Sequence, residues 1–125
     1  MTTGGRILLV EDDRFLRRAA EASLRQRGFA VTVAADGEEA LVKVRTEIPD
    51  LILLDLLMPK VTGIEVLRAL RAEEATKGIR VLILSNSSRE QDLEAIKELG
   101  VTDYLVKANL SLQELGDRVA QLLEE

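Results

Sequence analysis

Pro49-Asp-Leu-Ile-Leu-Leu-Asp-Leu-Leu-Met-Pro59 is the stretch that decides the fold. Leu51–Leu54 is apolar at every position, with Pro49 and Asp50 before it and Asp55 after it. A short run without polar alternation suits a strand buried on both faces, as in a parallel sheet covered by helices. Four more segments read the same way: Arg6–Val10, Ala30–Ala34, Arg80–Leu84 and Asp103–Val106. Between them the apolar residues recur at three- and four-residue intervals, the helical period. The first such segment, Arg14–Arg27, carries Leu16, Ala20 and Leu24. The second has Leu41, Val44 and Ile48, the third Ile64, Leu67 and Leu70, and the fourth Leu93, Ile96 and Leu99. Ser111–Leu123 carries Leu112, Leu115, Val119, Leu122 and Leu123, a stripe expected to be mostly core.

The boundaries agree with this alternation. Asp36 stands three residues before Glu39, Thr62 before Glu65, Ser88 before Gln91 and Ser111 before Glu114, at or near capping-box spacing. Gly28, Gly78 and Gly100 are expected to end three helices, and Pro49 to stop the second. Five strands alternating with five helices predict an α/β fold with a parallel sheet, and 2-1-3-4-5 is one common doubly wound strand order. No linker, repeat or low-complexity tract interrupts the pattern, so one domain over residues 1–125 is expected.

Composition narrows the chemistry. The chain has no Cys and no His, which removes thiolate sites, disulfides, imidazole bases and the usual zinc ligands. Any metal must be held by oxygen, which favours Mg²⁺, Ca²⁺ or Mn²⁺. The formal net charge of −5 argues against nucleic-acid binding through a broad basic face. No apolar run approaches the ~20 residues of a membrane span. Met1 to Gly5 is short and polar and holds no signal-peptide core, so a cytoplasmic location is expected.

Chemistry-bearing residues follow the strands. Glu11, Asp12 and Asp13 come after the first, Asp55 after the third, Ser85 and Asn86 after the fourth, and Lys107 after the fifth. Open parallel sheets bind ligands outside the carboxyl ends of their strands, near the switch in strand order. In the order 2-1-3-4-5 these residues converge on one crevice. Two unit charges ~4 Å apart repel by roughly 4 kcal/mol at an effective dielectric of ~20, so such a cluster needs a proton, a lysine or a metal. Oxygen ligands with room for water suit Mg²⁺. Asp55 then reads as a nucleophile toward a phosphoryl group, with Ser85 and Lys107 as donors to its oxygens. Asp13 is assigned instead to the start of the first helix, where an acid is favourable.

The stretches Ile7-Leu-Leu-Val-Glu-Asp-Asp13, Pro49 to Pro59 and Asp103-Tyr-Leu-Val-Lys107 resemble the receiver domain of two-component response regulators, over essentially the whole chain. The resemblance implies a flavodoxin-like doubly wound sheet of order 2-1-3-4-5 with helices on both faces. It implies phosphorylation of Asp55 by a histidine kinase or phosphotransfer protein. It implies Mg²⁺ held by Glu11, Asp12, Asp55 and the backbone carbonyl of Leu57, with Ser85, Asn86 and Lys107 around the phosphoryl group. Ser85 and Tyr104 take the places of the family's switch residues. Their movement would alter the surface of the fourth helix, fifth strand and fifth helix, the expected route to a downstream partner or a dimer. The protein is expected to catalyse nothing beyond its own phosphorylation and dephosphorylation.

Three residues depart from the family pattern. Ala108 stands where Pro, often after a cis peptide, usually follows the lysine. A cis bond before a non-proline residue costs about 3 kcal/mol, which leaves the shape of this loop to the structure. Asn86 replaces a small residue, close enough to crowd or hydrogen-bond the phosphoryl site. Leu57, two residues past the acceptor, cannot orient an attacking water. Competing readings are a degenerate receiver that binds partners without phosphorylation, which Asn86 and Ala108 keep open but the retained acids, Ser85 and Lys107 argue against, and a Mg²⁺-dependent aspartyl phosphatase. The latter typically needs a second acid where Leu57 stands. A dinucleotide-binding domain lacks its glycine-rich turn. Leu57 predicts slow loss of the phosphoryl group: intact mass followed after donor removal should show a label that persists, and a half-life of a few seconds would refute this.

Overall fold

Strands β1 (Arg6–Val10), β2 (Ala30–Ala34), β3 (Leu51–Asp55), β4 (Arg80–Ser85) and β5 (Asp103–Val106) alternate with helices α1 (Arg14–Gln26), α2 (Gly37–Thr46), α3 (Gly63–Ala72), α4 (Glu90–Glu98) and α5 (Leu112–Glu124). A 3-10 turn, Lys107–Asn109, follows β5. This computed structural model describes residues 5–58, 60–86, 90–101 and 103–124. The strands pair in parallel, as the alternation of elements predicts, and in the order β2-β1-β3-β4-β5 that the resemblance implies.

The sheet is apolar on both faces because consecutive side chains point to opposite sides. Ile7, Leu9, Leu51, Leu53, Leu82 and Leu84 join Ala20 and Leu24 of α1 and Leu115, Val119 and Leu122 of α5 in one core layer. Leu8, Val10, Ile52, Leu54, Val81 and Ile83 join Val44 of α2, Leu67 of α3 and Ile96 of α4 in the other. Burying one such side chain fully is worth roughly 1.5–3 kcal/mol. An exposed ion pair, such as Arg45–Glu73 between α2 and the end of α3, contributes about 0–1 kcal/mol. The aliphatic layers therefore hold the fold. Leu93 and Leu112, at helical spacing with core residues, remain partly exposed. No described helix is long and apolar enough to cross a membrane.

The caps follow the expected spacings where they are described. Thr62 and Glu65 form a reciprocal capping box. Asp36 accepts from Glu39 N at 2.9 Å, but the Glu39 carboxylate turns to Ala35 N rather than to Asp36 N. Ser111 Oγ accepts from Glu114 N at 3.0 Å. The Ser88 cap, Pro59 and residues 1–4 lie outside the described residues.

Three expectations need correction. Gly28 (φ 97°) and Gly100 (φ 81°) do end α1 and α4 in the left-handed conformation glycine tolerates. Gly78 does not end α3, which stops at Ala72. The Thr76 hydroxyl donates to Leu70 O at 2.7 Å, and the Arg71 guanidinium donates to Lys77 O and Ile79 O. These bonds satisfy the helix end and tie the turn down without glycine. Ile48 lies beyond α2 and is largely exposed. Pro49 disfavours helical geometry at the preceding residue, and Glu47 is already extended at φ −145°. Asp55 and Ser85 are the last residues of β3 and β4 rather than loop residues. Each still pairs with a neighbouring strand, Asp55 with Leu84 and Ser85 with Val106.

Gly63 links the fold to the acidic end of the sheet. Its N–H donates to Leu56 O at 3.0 Å, and an added Cβ would meet Asp55 O and, at 2.6 Å, Leu56 Cα. Gly→Ala inside a helix ordinarily gains up to about 1 kcal/mol. Gly63→Ala should instead cost about 2–4 kcal/mol in urea unfolding, because both obstacles are backbone. A neutral or stabilising result would disprove the close approach.

Candidate functional site

The strand order sets β1 beside β3, β3 beside β4 and β4 beside β5, so their carboxyl ends share one edge. Glu11 extends β1 by one step, its N–H donating to Ala34 O at 3.0 Å. Glu11, Asp55 and Ser85 are buried, whereas Asp12 is exposed. One carboxylate oxygen from each of Glu11, Asp12 and Asp55 lies within 4.8 Å of the others. Residues far apart in sequence thus form the expected cluster.

Lys107 Nζ closes one side of it. The ammonium donates to Asp55 Oδ2 at 2.9 Å and stands 2.7 Å from Glu11 Oε1. Asp55 Oδ1 accepts from Leu57 N at 3.2 Å, and Glu11 Oε2 accepts from Asp13 N at 3.0 Å. Glu11 Oε1 has no hydrogen-bond partner of suitable geometry, so its contact with Lys107 is an ion pair. Burial pushes the Glu11 carboxyl above its ordinary value, and the charge of Asp55 adds to this against the pull of Lys107 and Asp13 N. Burial also opposes the charge on Lys107, but the oxygens of Glu11 and Asp55 outweigh it and raise the ammonium's pKa.

These residues suit a small hard cation. The donor set is all oxygen, and Glu11 Oε1 is a buried acceptor still lacking a hydrogen bond. Three carboxylates facing one ammonium also leave an excess of negative charge at the mouth of the crevice.

The remaining predicted residues fall around this centre. Asp13 caps α1, its Oδ1 accepting from Phe15 N and Leu16 N, which agrees with its assignment to the helix start. Leu57 is exposed beside Asp55. Tyr104 is half-buried on β5 against the core layer under α2, α3 and α4. Asn86 Oδ1 accepts from Ala108 N at 2.7 Å. No described peptide bond is cis, so Lys107–Ala108 is trans and enters the 3-10 turn directly. Sequence reading missed Arg17, whose Nη1 donates to Glu11 O at 2.9 Å and to Asp12 O at 3.4 Å, bracing the acidic loop from α1. Nothing in the sequence separates Arg17 from its neighbours Arg14 and Arg18. The turn of the helix selects it.

Known proteins agree with this geometry. Residues 7–120 match the family model described as the response regulator receiver domain. The transcriptional activator protein PfeR of Pseudomonas aeruginosa is 43% identical over 118 residues, which span 94% of this chain and 37% of that protein. The alkaline phosphatase synthesis transcriptional regulatory protein PhoP of Bacillus subtilis is 39% identical over 118 residues, 94% of this chain and 48% of that protein. The chain thus spans less than half the length of either. The receiver domain of the Francisella response regulator 1452 superposes with a TM-score of 0.85 at 33% identity, covering 96% of this chain and 97% of that one. Chemotaxis protein CheY4 of Vibrio cholerae gives 0.86 at 30% identity, covering 94% and 97%. Receivers take phosphate from histidine kinases and serve signalling rather than substrate turnover. On its sequence, its strand order and its acidic crevice, the chain belongs to the receiver domain family of two-component response regulators.

Proposed function

We propose that residues 1–125 act as one receiver domain in the cytoplasm and that Asp55 is its phosphoacceptor. A carboxylate oxygen of Asp55 attacks the phosphorus of a phosphohistidine, the P–N bond breaks, and the freed imidazole leaves with the electron pair. The observation that carries this reading is the ion bridge at the crevice: Lys107 Nζ reaches Asp55 Oδ2 while the oxygens of Glu11 and Asp12 stand within 4.8 Å of Asp55. Glu11, Asp12, Asp55 and the Leu57 carbonyl would hold Mg²⁺. That ion supplies charge neutralisation for the phosphoryl oxygens in transfer. The Ser85 hydroxyl and the Lys107 ammonium donate to those oxygens, and Asn86 stands beside them at the phosphoryl site.

The same residues make a switch. Ser85 ends β4, Lys107 directly follows the neighbouring β5, and Tyr104 lies on β5 between α4 and α5. Movement of Ser85 and Tyr104 on phosphorylation would reshape the α4–β5–α5 surface and so change partner binding or pairing of two copies. Relatives named as transcriptional regulators support a place in such a pathway. This domain needs no nucleic-acid contact of its own for that role.

Incubation with acetyl phosphate and Mg²⁺ should add one phosphoryl group per chain by intact mass, and Asp55→Asn should add none. Label retained by Asp55→Asn, or hydrolysis of many acetyl phosphate molecules without label, contradicts the reading. Lys107→Ala should cost about 2–4 kcal/mol in metal-free unfolding, since it leaves the two buried carboxylates without their cation. Burial raises the Glu11 pKa and removing Lys107 takes away a group that lowers it, so the loss is largest above the pKa of Glu11 in the variant and shrinks as pH falls and Glu11 takes up a proton. Millimolar Mg²⁺ should restore stability to Lys107→Ala more than it adds to wild type. Equal gains in both would count against a metal at these carboxylates.

A further inference from the structure

The last pair between β4 and β5 joins Ser85 and Val106. Past it the chains part, and Lys107 opens a 3-10 turn. The first N–H groups of such a turn have no partner inside it, and Val106 caps none of them with its side chain. Asn86 supplies an acceptor from the other strand: its Oδ1 lies 2.7 Å from Ala108 N. Only the amide oxygen can accept from an N–H, so the orientation of this side chain is fixed. The hydrogen bond extends the β4–β5 pairing beyond the strands as a side-chain rung.

The rung ties together two groups of the crevice. Asn86 follows Ser85, which is fully buried. Ala108 follows Lys107, whose ammonium meets Asp55 Oδ2 and Glu11 Oε1. A lysine side chain has four rotatable bonds, so its ammonium is placed well only if its backbone is held. The residues on either side of it, Val106 and Ala108, are both exposed and add no core packing of their own.

We propose that Asn86 is a positioning residue for Lys107: it anchors the 3-10 turn through Ala108 N–H, so that the lysine and the Ser85 hydroxyl approach the phosphoryl group as one unit. This rests on Asp55 being the phosphoacceptor.

Two measurements test it. In the unphosphorylated, metal-free protein, Asn86→Ala should speed amide exchange at Ala108 about tenfold, the worth of one hydrogen bond, with β1 and β3 amides unchanged. Asn86→Asp, which keeps the acceptor oxygen, should restore protection. With acetyl phosphate, Asn86→Ala should lower the maximal phosphorylation rate several-fold and leave the Mg²⁺ concentration at half-saturation unchanged, because Glu11, Asp12 and Asp55 lie at the carboxyl ends of β1 and β3. Unchanged Ala108 exchange in Asn86→Ala, an unchanged maximal rate, or a shifted Mg²⁺ half-saturation would overturn the proposal. A wild-type chain that takes no label sinks the phosphoacceptor reading, and the exchange measurement still decides whether Asn86 holds the turn.

Discussion

One ammonium set between two buried carboxylates is the constraint around which the acidic end of this molecule is arranged. Lys107 touches both Asp55 and Glu11, and Asp12 stands at the mouth. Three negative charges facing one positive charge leave two uncompensated, which is the charge of a divalent cation. Burial raises the cost of every unpaired charge, so the same desolvation that pushes up the Glu11 carboxyl also strengthens its attraction to Lys107. A crevice built this way suits a small hard cation.

The scaffold holds that arrangement by dividing labour along the strands. Their apolar middles are sealed on both faces by α1 and α5 on one side and α2, α3 and α4 on the other. Their carboxyl ends carry the polar residues, and Asp55 and Ser85 still belong to the ladder, so they inherit its rigidity. Gly63 lets α3 begin directly against the backbone of Asp55 and Leu56. Arg17 braces the acidic loop from α1. Support thus reaches the crevice from both layers of the sheet.

Burial falls off toward one edge. Every residue of β3 is buried, whereas β5 reads intermediate, intermediate, intermediate, exposed. An edge strand with less apolar packing has a lower local cost of rearrangement. The proposed switch residues Ser85 and Tyr104 sit where β4 meets this edge, and the Asn86–Ala108 rung spans the same boundary.

The amino-acid sequence alone determined the fold class and the acidic cluster of the crevice, whereas the alternation of elements left the strand order open and only the likeness to receiver domains supplied it. Apolar runs without alternation demand a sheet covered twice, and the polar residues that follow each run have only one common edge to occupy. The cap spacings at Thr62 and Ser111 were legible for the same reason, since each depends on residues three apart. Tertiary structure decided what depends on contacts between distant segments. Bonds from Thr76 and Arg71 end α3 well short of Gly78. The phase of α1 singles out Arg17 from three neighbouring arginines. Asn86 and Ala108 look like two unrelated substitutions in sequence, and only the approach of two loops makes them hydrogen-bond partners. Local period and turn chemistry are written in neighbouring residues, whereas a hydrogen bond across 22 positions exists only once the sheet has brought its two ends together.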